Sequence, residues 1–299
     1  MRRRVTFTSG GDATCVGYLY RPAGTTSPAP AVVLAHGFSG TMDRLFPHAE
    51  RFTDAGFATL VFDYRSFGES GGEPRQVVDV AGQQEDLRAA VAWLRAQEGI
   101  AADRVALWGN SLGGAHVIAV AADDPAIAAV VAQIPFNGFP KAPPGQSRRA
   151  LRLLGAILWD ALRGKLGLSP AYLPMIGGPG QLAVVATPDA QRHLEILAGA
   201  GERTLWRNQV APRGLLGMMR FHPVEYAARL TAPLLVCIAT EDRETPEHTT
   251  RQLAERAPRG TLRRYPGTHF DFYTDPTMRE RVLAGQIAFL QEHLGCRVY

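Results

Sequence analysis

The sequence predicts an α/β fold, a mostly parallel, doubly wound sheet with a helical cap insertion. Three observations predict it. Short runs that are apolar at every position, such as Ala31 to Ala35 and Leu234 to Ala239, alternate with longer segments of helical period. Strands that are apolar throughout are buried on both faces, as in a parallel sheet covered by helices. The rhythm stops after about Asn137 and resumes after His222, which marks an insertion between two strands of one sheet.

The elements follow in order. Val5, Phe7 and then Val16, Tyr18 and Tyr20 alternate around Ser9-Gly10-Gly11-Asp12, the pattern of a hairpin and its turn. A Pro/Gly/Ser/Thr loop runs from Pro22 to Pro30. Ala31 to Ala35 is a strand that ends at His36-Gly37. Leu45 to Ala55 has helical spacing, and Ala58 to Phe62 is a strand that ends at Asp63. Val80 to Gln97 is a helix with Leu87, Ala90, Val91 and Leu94 on one face. Val105 to Trp108 is a strand, Leu112 to Ala122 a helix and Ile127 to Ile134 a strand.

The insertion has a Pro-rich entry (Pro140, Pro143, Pro144), an amphipathic stretch from Leu151 to Leu166, a Gly/Pro-rich piece and a short helix from Asp189 to Ala198. Leu234 to Ala239 is then a strand, Glu247 to Arg256 a helix, Thr261 to Tyr265 a strand and Thr277 to His293 a closing helix. The expected division is therefore a core of residues 1–136 and 223–299 with a cap of residues 137–222.

Composition excludes several classes. Of the 299 residues 46% are apolar and 20% charged, the balance of a globular protein. The net charge of +4 is spread as single Arg residues, with no basic run interleaved with aromatics, so nucleic acid is not an expected partner. Cys15, Cys237 and Cys296 are too far apart for a zinc site, and Cys237 reads as a core residue. Arg2, Arg3 and Arg4 are not followed by the apolar segment of a secretion signal. No apolar run approaches the roughly 20 residues of a membrane span. A cytoplasmic chain without metal or organic cofactor is expected, and a homodimer is left open.

The chemistry is sought at the carboxyl ends of the strands. Gly109-Asn110-Ser111-Leu112-Gly113 fits G-x-S-x-G between a predicted strand and a predicted helix. A serine on so sharp a turn tolerates only glycine two residues away on either side. The turn exposes the hydroxyl and points N–H groups at a helix start toward a developing negative charge.

With this elbow, His36-Gly37-Phe38-Ser39-Gly40, Asp63-Tyr64-Arg65-Ser66-Phe67-Gly68-Glu69-Ser70-Gly71 and two late loops, the chain resembles the α/β-hydrolase superfamily. Within it, it is similar to the dienelactone-hydrolase and acyl-peptidase-like serine esterases. The resemblance spans all but the cap and implies an α/β-hydrolase fold with Ser111 as nucleophile. It also implies an oxyanion hole made by the backbone N–H groups of Phe38 and Leu112. His36 is read as a brace for its loop rather than a base.

The superfamily's order is nucleophile, acid, histidine. After the strand ending at Ala239, Asp242 lies four residues before Pro246 and is the expected acid, with Glu241 and Glu244 as rivals. The alternative site after the preceding strand reads Pro135-Phe136-Asn137, and an amide cannot stabilise an imidazolium as a carboxylate does. Pro266-Gly267-Thr268-His269-Phe270 follows the last strand and makes His269 the expected base. His48, His248 and His293 are assigned to helix surfaces, His193 and His222 to the border of the cap, and His116 to packing on its helix.

Asp63-Tyr64-Arg65 and its glycines are read as loop bracing, with a pocket wall as the alternative. The cap's Leu153, Leu154, Ile157, Trp159, Leu173, Met175, Ile176, Trp206, Met218 and Met219 either pack the cap or face a lipophilic substrate. The expected activity is hydrolysis of a carboxylic ester, thioester or lactone through an acyl-enzyme. The alternatives are an amide- or peptide-cleaving hydrolase and a non-hydrolytic lyase or cyclase on the same fold.

Overall fold

The computed structural model describes residues 2–24, 27–139, 147–178, 180–198 and 204–295. Its elements are β1 (Arg2–Ser9), β2 (Ala13–Tyr20), β3 (Ala29–Ala35), α1 (Phe46–Asp54), β4 (Ala58–Asp63), α2 (Val80–Arg95), β5 (Ile100–Asn110), α3 (Leu112–Asp123) and β6 (Ala129–Gln133). There follow α4 (Ser147–Lys165), α5 (Pro188–Ala198), α6 (Leu215–Met219), α7 (Pro223–Ala227), β7 (Leu234–Ala239), α8 (Glu247–Arg256), β8 (Gly260–Tyr265), α9 (Asp271–Thr274) and α10 (Pro276–Leu294).

The eight strands form one sheet in the order β1-β2-β4-β3-β5-β6-β7-β8. The hairpin β1–β2 is antiparallel and joins β4 antiparallel; every pair from β4 onward is parallel. Alternation along each strand separates two cores. In β3, Ala31, Val33 and Ala35 belong to the core that includes α2, α3 and α8, while Val32 and Leu34 belong to the one that includes α1 and α10. In β5, Val105 and Leu107 take the first face and Ala106 and Trp108 the second. Runs apolar at every position are thus the consequence of helices on both faces, which is the α/β-hydrolase architecture expected.

One expectation needs correction. His48 is buried in α1 rather than on its surface. Its ring lies 5.0 Å from that of Trp108, and neither ring nitrogen meets a hydrogen-bond partner among the described residues. The helix of period 3.6 over Leu45 to Ala55 carries this histidine on its inward stripe, where residue type misleads and position does not. The short helices α6, α7 and α9, of four or five residues each, also escape periodicity, which needs several turns to register.

The helices α4 to α7 all lie between β6 and β7. Asp160 of α4, fully buried, takes two hydrogen bonds from the Arg213 guanidinium at 2.9 and 3.0 Å and ties α4 to the turn before α6. The Ser39 hydroxyl and the Gln76 amide both donate to the Gln209 carbonyl, fixing the insertion to loops at the carboxyl end of the sheet. Ala227 and Leu230 pack into the sheet's own core, so the chain has rejoined it by α7. Cys15 and Cys237 are buried free thiols, and Cys296 lies outside the described residues. No helix among the described residues is long and apolar enough to cross a membrane.

Candidate active site

Strand order places the site. From β3 the chain moves to β4 on one side and then to β5 on the other, so the loops after β3 and β5 part and leave a crevice between them. His36-Gly37-Phe38 follows β3 and Ser111 follows β5.

Ser111 has φ 51° and ψ −119°, a conformation few non-glycine residues adopt. The glycines around it are dictated by contact. A Cβ on Gly109 would lie 2.3 Å from the Gly113 carbonyl oxygen, and one on Gly113 would lie 2.3 Å from that of Ala35. A Cβ on Gly37 would stand 3.1 Å from the Ser111 Cβ, so the loop after β3 presses directly against the serine. Leu112 opens α3, and the N–H of a first helical residue has no intrahelical acceptor. Phe38 lies in the loop on the other side of the crevice and also borders the cavity described below.

The loops that carry Asp242 and His269 follow the adjacent strands β7 and β8. They are stitched by hydrogen bonds from the Thr240 N–H to the Tyr265 carbonyl and from the Glu241 N–H to the Gly267 carbonyl, both 2.9 Å. Asp242 Oδ1 accepts the N–H groups of Glu244 and Thr245 at 2.8 Å each. Its Oδ2 lies 2.8 Å from His269 Nδ1 and 2.9 Å from the Thr245 hydroxyl. A carboxylate at Nδ1 holds the neutral imidazole with that nitrogen protonated, so Nε2 is left as the acceptor. Burial works to lower the His269 pKa, but the Asp242 charge and hydrogen bond, helped by Glu244, outweigh it and the net shift is upward.

The rivals are placed elsewhere. Glu241 is exposed, Glu244 bonds the Thr187 hydroxyl, and the Asn137 amide donates to the Thr249 carbonyl at 2.8 Å. His36 is buried, bonds the Gly37 carbonyl through Nδ1 and accepts from the Tyr64 N–H through Nε2; burial pulls its pKa down to about 4. It braces the loop. His116 is buried against Phe221 with Nε2 on Gln83, and His248 and His222 are exposed. Asp63 also braces. Its two oxygens accept the N–H groups of Met42 and Glu69, and burial raises its pKa to about 7.

Two residues of the site carry no signal in the sequence. Thr245 contacts both Asp242 and His269 Nδ1, the latter at 3.3 Å, yet reads as an ordinary loop threonine. Tyr273 sits one turn beyond His269 on α9, too short a helix to predict. Its hydroxyl neighbours Ser111 and would lie 3.2 Å from a Cβ on Gly37. Burial and the Asp242 charge push the phenol pKa up, so it stays protonated beside the serine.

Ser111, Asp242 and His269 open onto a cavity of about 1060 Å³. Of the ten apolar insertion residues weighed from the sequence, Leu153, Leu154, Ile157, Met175, Trp206, Met218 and Met219 line it. Ile176 is buried beneath, while Trp159 faces solvent. The wall's guanidinium groups include Arg149, which donates to the Ala183 and Val184 carbonyls. Among the described residues no group of three or more His, Cys, Asp or Glu is arranged to hold a metal ion.

Comparison with known proteins agrees with this architecture. The family described as serine aminopeptidase S33 matches residues 26–277. A quorum-quenching protein, AidA, of Acinetobacter baumannii (strain MDR-ZJ06) is 39% identical over 94% of this chain and 91% of its own. A monoacylglycerol lipase of Mycolicibacterium smegmatis (strain ATCC 700084 / mc(2)155) is 29% identical over 90% of each chain. The crystal structure of the α/β hydrolase GrgF from Penicillium sp. sh18 superposes with a TM-score of 0.82 at 25% identity, covering 99% of both chains. This chain belongs to the serine aminopeptidase S33 family, and with it to the α/β-hydrolases.

Proposed function

We propose that the chain is a serine hydrolase that cleaves a carboxylic ester, thioester or lactone with a lipophilic acyl part through an acyl-enzyme on Ser111. The observation that carries it is the 2.8 Å contact of His269 Nδ1 with Asp242 Oδ2, in the same cavity as a serine on a strained elbow. His269 Nε2 takes the Ser111 proton as Oγ attacks the acyl carbonyl. The N–H groups of Phe38 and Leu112 hold the oxyanion, and Asp242 stabilises the imidazolium. The tetrahedral intermediate expels the alcohol, thiol or ring oxygen, which takes the proton from His269. Water then attacks the acyl-enzyme by the same route and frees the acid and Ser111.

Residues 137–222 act as the cap. Their apolar contribution to the wall supports a lipophilic acyl group over a small polar one, because pockets are selective through what they bury. The monoacylglycerol lipase relative supports the same class by its name. The two buried free thiols, Cys15 and Cys237, fit a cytoplasmic setting.

A fluorophosphonate probe tests the nucleophile: labelling is expected in the native chain and lost in Ser111→Ala. A panel of short and medium-chain p-nitrophenyl esters, thioesters, acyl lactones and aminoacyl amides tests the class. Preference for aminoacyl amides would replace the esterase reading by a peptidase one. Retained turnover in Ser111→Ala would favour a lyase or cyclase.

A further inference from the structure

The helix α4 has two apolar faces. The inner one, with Leu153 and Ile157, walls the cavity. The outer one is turned to solvent, with Leu151 67%, Leu158 55%, Trp159 56% and Leu162 48% exposed, and Leu166 continues it past the helix end. At 100° per residue Leu151, Leu158, Trp159, Leu162 and Leu166 fall within one arc of roughly 100°, a continuous stripe along the helix. An apolar stripe of this extent on the surface marks a docking face.

The charges beside it identify what docks. Arg148 and Arg152 flank the stripe at one end and Arg163 and Lys165 at the other. The helix has one acidic residue, Asp160, and it points inward, fully buried on Arg213. The outer face therefore presents Leu and Trp bordered by cations alone, the arrangement of a helix that lies in a membrane interface. A second copy fits poorly. A twofold pairing of α4 with itself would set the four cations of one chain against those of the other with no exposed carboxylate on the helix between them. An anionic lipid surface offers the complementary charge.

We propose that the outer face of α4 docks the protein on an anionic lipid surface, its stripe sunk among the acyl chains and its cations at the headgroups. The same helix walls the cavity on its other side, so a lipophilic molecule leaving the bilayer would meet the cap first. The docking does not depend on which reaction Ser111 performs.

Co-sedimentation of the full chain with vesicles tests it, using phosphatidylglycerol mixed with phosphatidylcholine against phosphatidylcholine alone. Binding at least tenfold stronger to the anionic vesicles is expected, weakening as salt rises. The pair Leu158→Glu and Leu162→Glu should lose that binding at least tenfold, and Arg148→Glu with Arg152→Glu should lose the preference for anionic lipid. All four side chains lie outside the cavity wall, and unchanged thermal melting by circular dichroism will show that the variants fold. Ser111→Ala should bind vesicles as the native chain does, which separates docking from the proposed reaction. No binding to either vesicle, equal binding to both, or binding indifferent to the Leu158/Leu162 pair would overturn the proposal. A concentration-dependent dimer that the same pair dissociates would assign the stripe to a second copy instead.

Discussion

The Thr245 hydroxyl lies 2.9 Å from Asp242 Oδ2, the oxygen that also receives His269 Nδ1. The same hydroxyl is 3.2 Å from the carbonyl of Ile134, which has φ 42°, rare for a β-branched residue. A hydroxyl has one hydrogen, and the shorter contact to a charged acceptor is the stronger. Thr245 thus completes the set of donors around Asp242. A hydrogen bond to a charged group contributes about 1.5–3 kcal/mol, so Thr245→Val should lower kcat by about ten- to hundredfold with KM little changed. Thr245→Ser should restore most of it. Steady-state kinetics on a p-nitrophenyl ester decide; a change confined to KM would show that Thr245 touches substrate instead.

Asp242 and Glu244 are two residues apart and both border the cavity, yet only Asp242 reaches Nδ1. Asp242→Asn should leave the geometry and favour the wrong imidazole tautomer, costing on the order of 10⁴ in kcat. Glu244→Gln should cost a few-fold at most near neutral pH. Equal losses in the two variants would return the acid assignment to both residues.

The pH profile follows from the same charges. As the proposed base His269 works only when neutral, so activity should fall as pH drops through its pKa. That pKa is raised, so the acid limb of kcat/KM should turn over above the ordinary histidine value of about 6.5. The Glu244 charge contributes to the rise, and Glu244→Gln should therefore move the limb to lower pH. A limb that stays in place or moves upward contradicts this, and stopped-assay rates across pH 5–9 will read it.

The fold was legible because each element follows a local rule, and the three side chains proposed for the chemistry were marked by local rules as well. Gly109 and Gly113 are required by carbonyl oxygens 2.3 Å from where a Cβ would sit, and the strand-to-helix context of Ser111 shows in the change from apolar run to helical period. His269 and Asp242 follow from chain order. What escaped were contacts made through space by residues with no pattern of their own. Thr245 is defined by a carboxylate three residues back and an imidazole from the next strand. His48 looked like a surface residue because polarity was weighed above the stripe it occupies. The seven insertion residues on the cavity wall had the right composition, but nothing in the sequence separates Met218 there from Trp159 in solvent.

Tyr273 supplies a testable contrast within the site. Its hydroxyl neighbours Ser111 and faces the loop after β3, while its ring lies 5.8 Å from that of His269. Tyr273→Phe keeps the ring and removes the hydroxyl. A single neutral hydrogen bond contributes about 0.5–1.5 kcal/mol, so kcat/KM should fall by about two- to tenfold. If the hydroxyl orients the ground-state serine, fluorophosphonate labelling of Ser111 slows by the same factor. Unchanged labelling and turnover together would make the contact incidental.

Buried histidines set the acid limit of the fold. Burial lowers the pKa of His36 to about 4 and those of His48 and His116 to about 3, from an ordinary 6.5. Below pH 6.5 the unfolded chain protonates three imidazoles that the fold keeps neutral, so stability is lost as pH falls from there toward the folded values. Asp63 opposes this, because its folded carboxyl takes a proton near pH 7 that the unfolded chain accepts only near 3.8, and raised Glu244 acts in the same sense. Three imidazoles against Asp63, with Glu244 narrowing the difference further, leave at most about two extra protons on the unfolded chain between pH 6 and 5, a slope of at most about 2.7 kcal/mol per pH unit. Urea denaturation at pH 5, 6 and 7 should therefore show stability falling with acid. His48→Leu removes a ring that packs on Trp108 without a hydrogen-bond partner among the described residues, and should flatten the slope by about 1.4 kcal/mol per pH unit. A slope unchanged by that substitution would mean that His48 already takes up its proton in the folded protein.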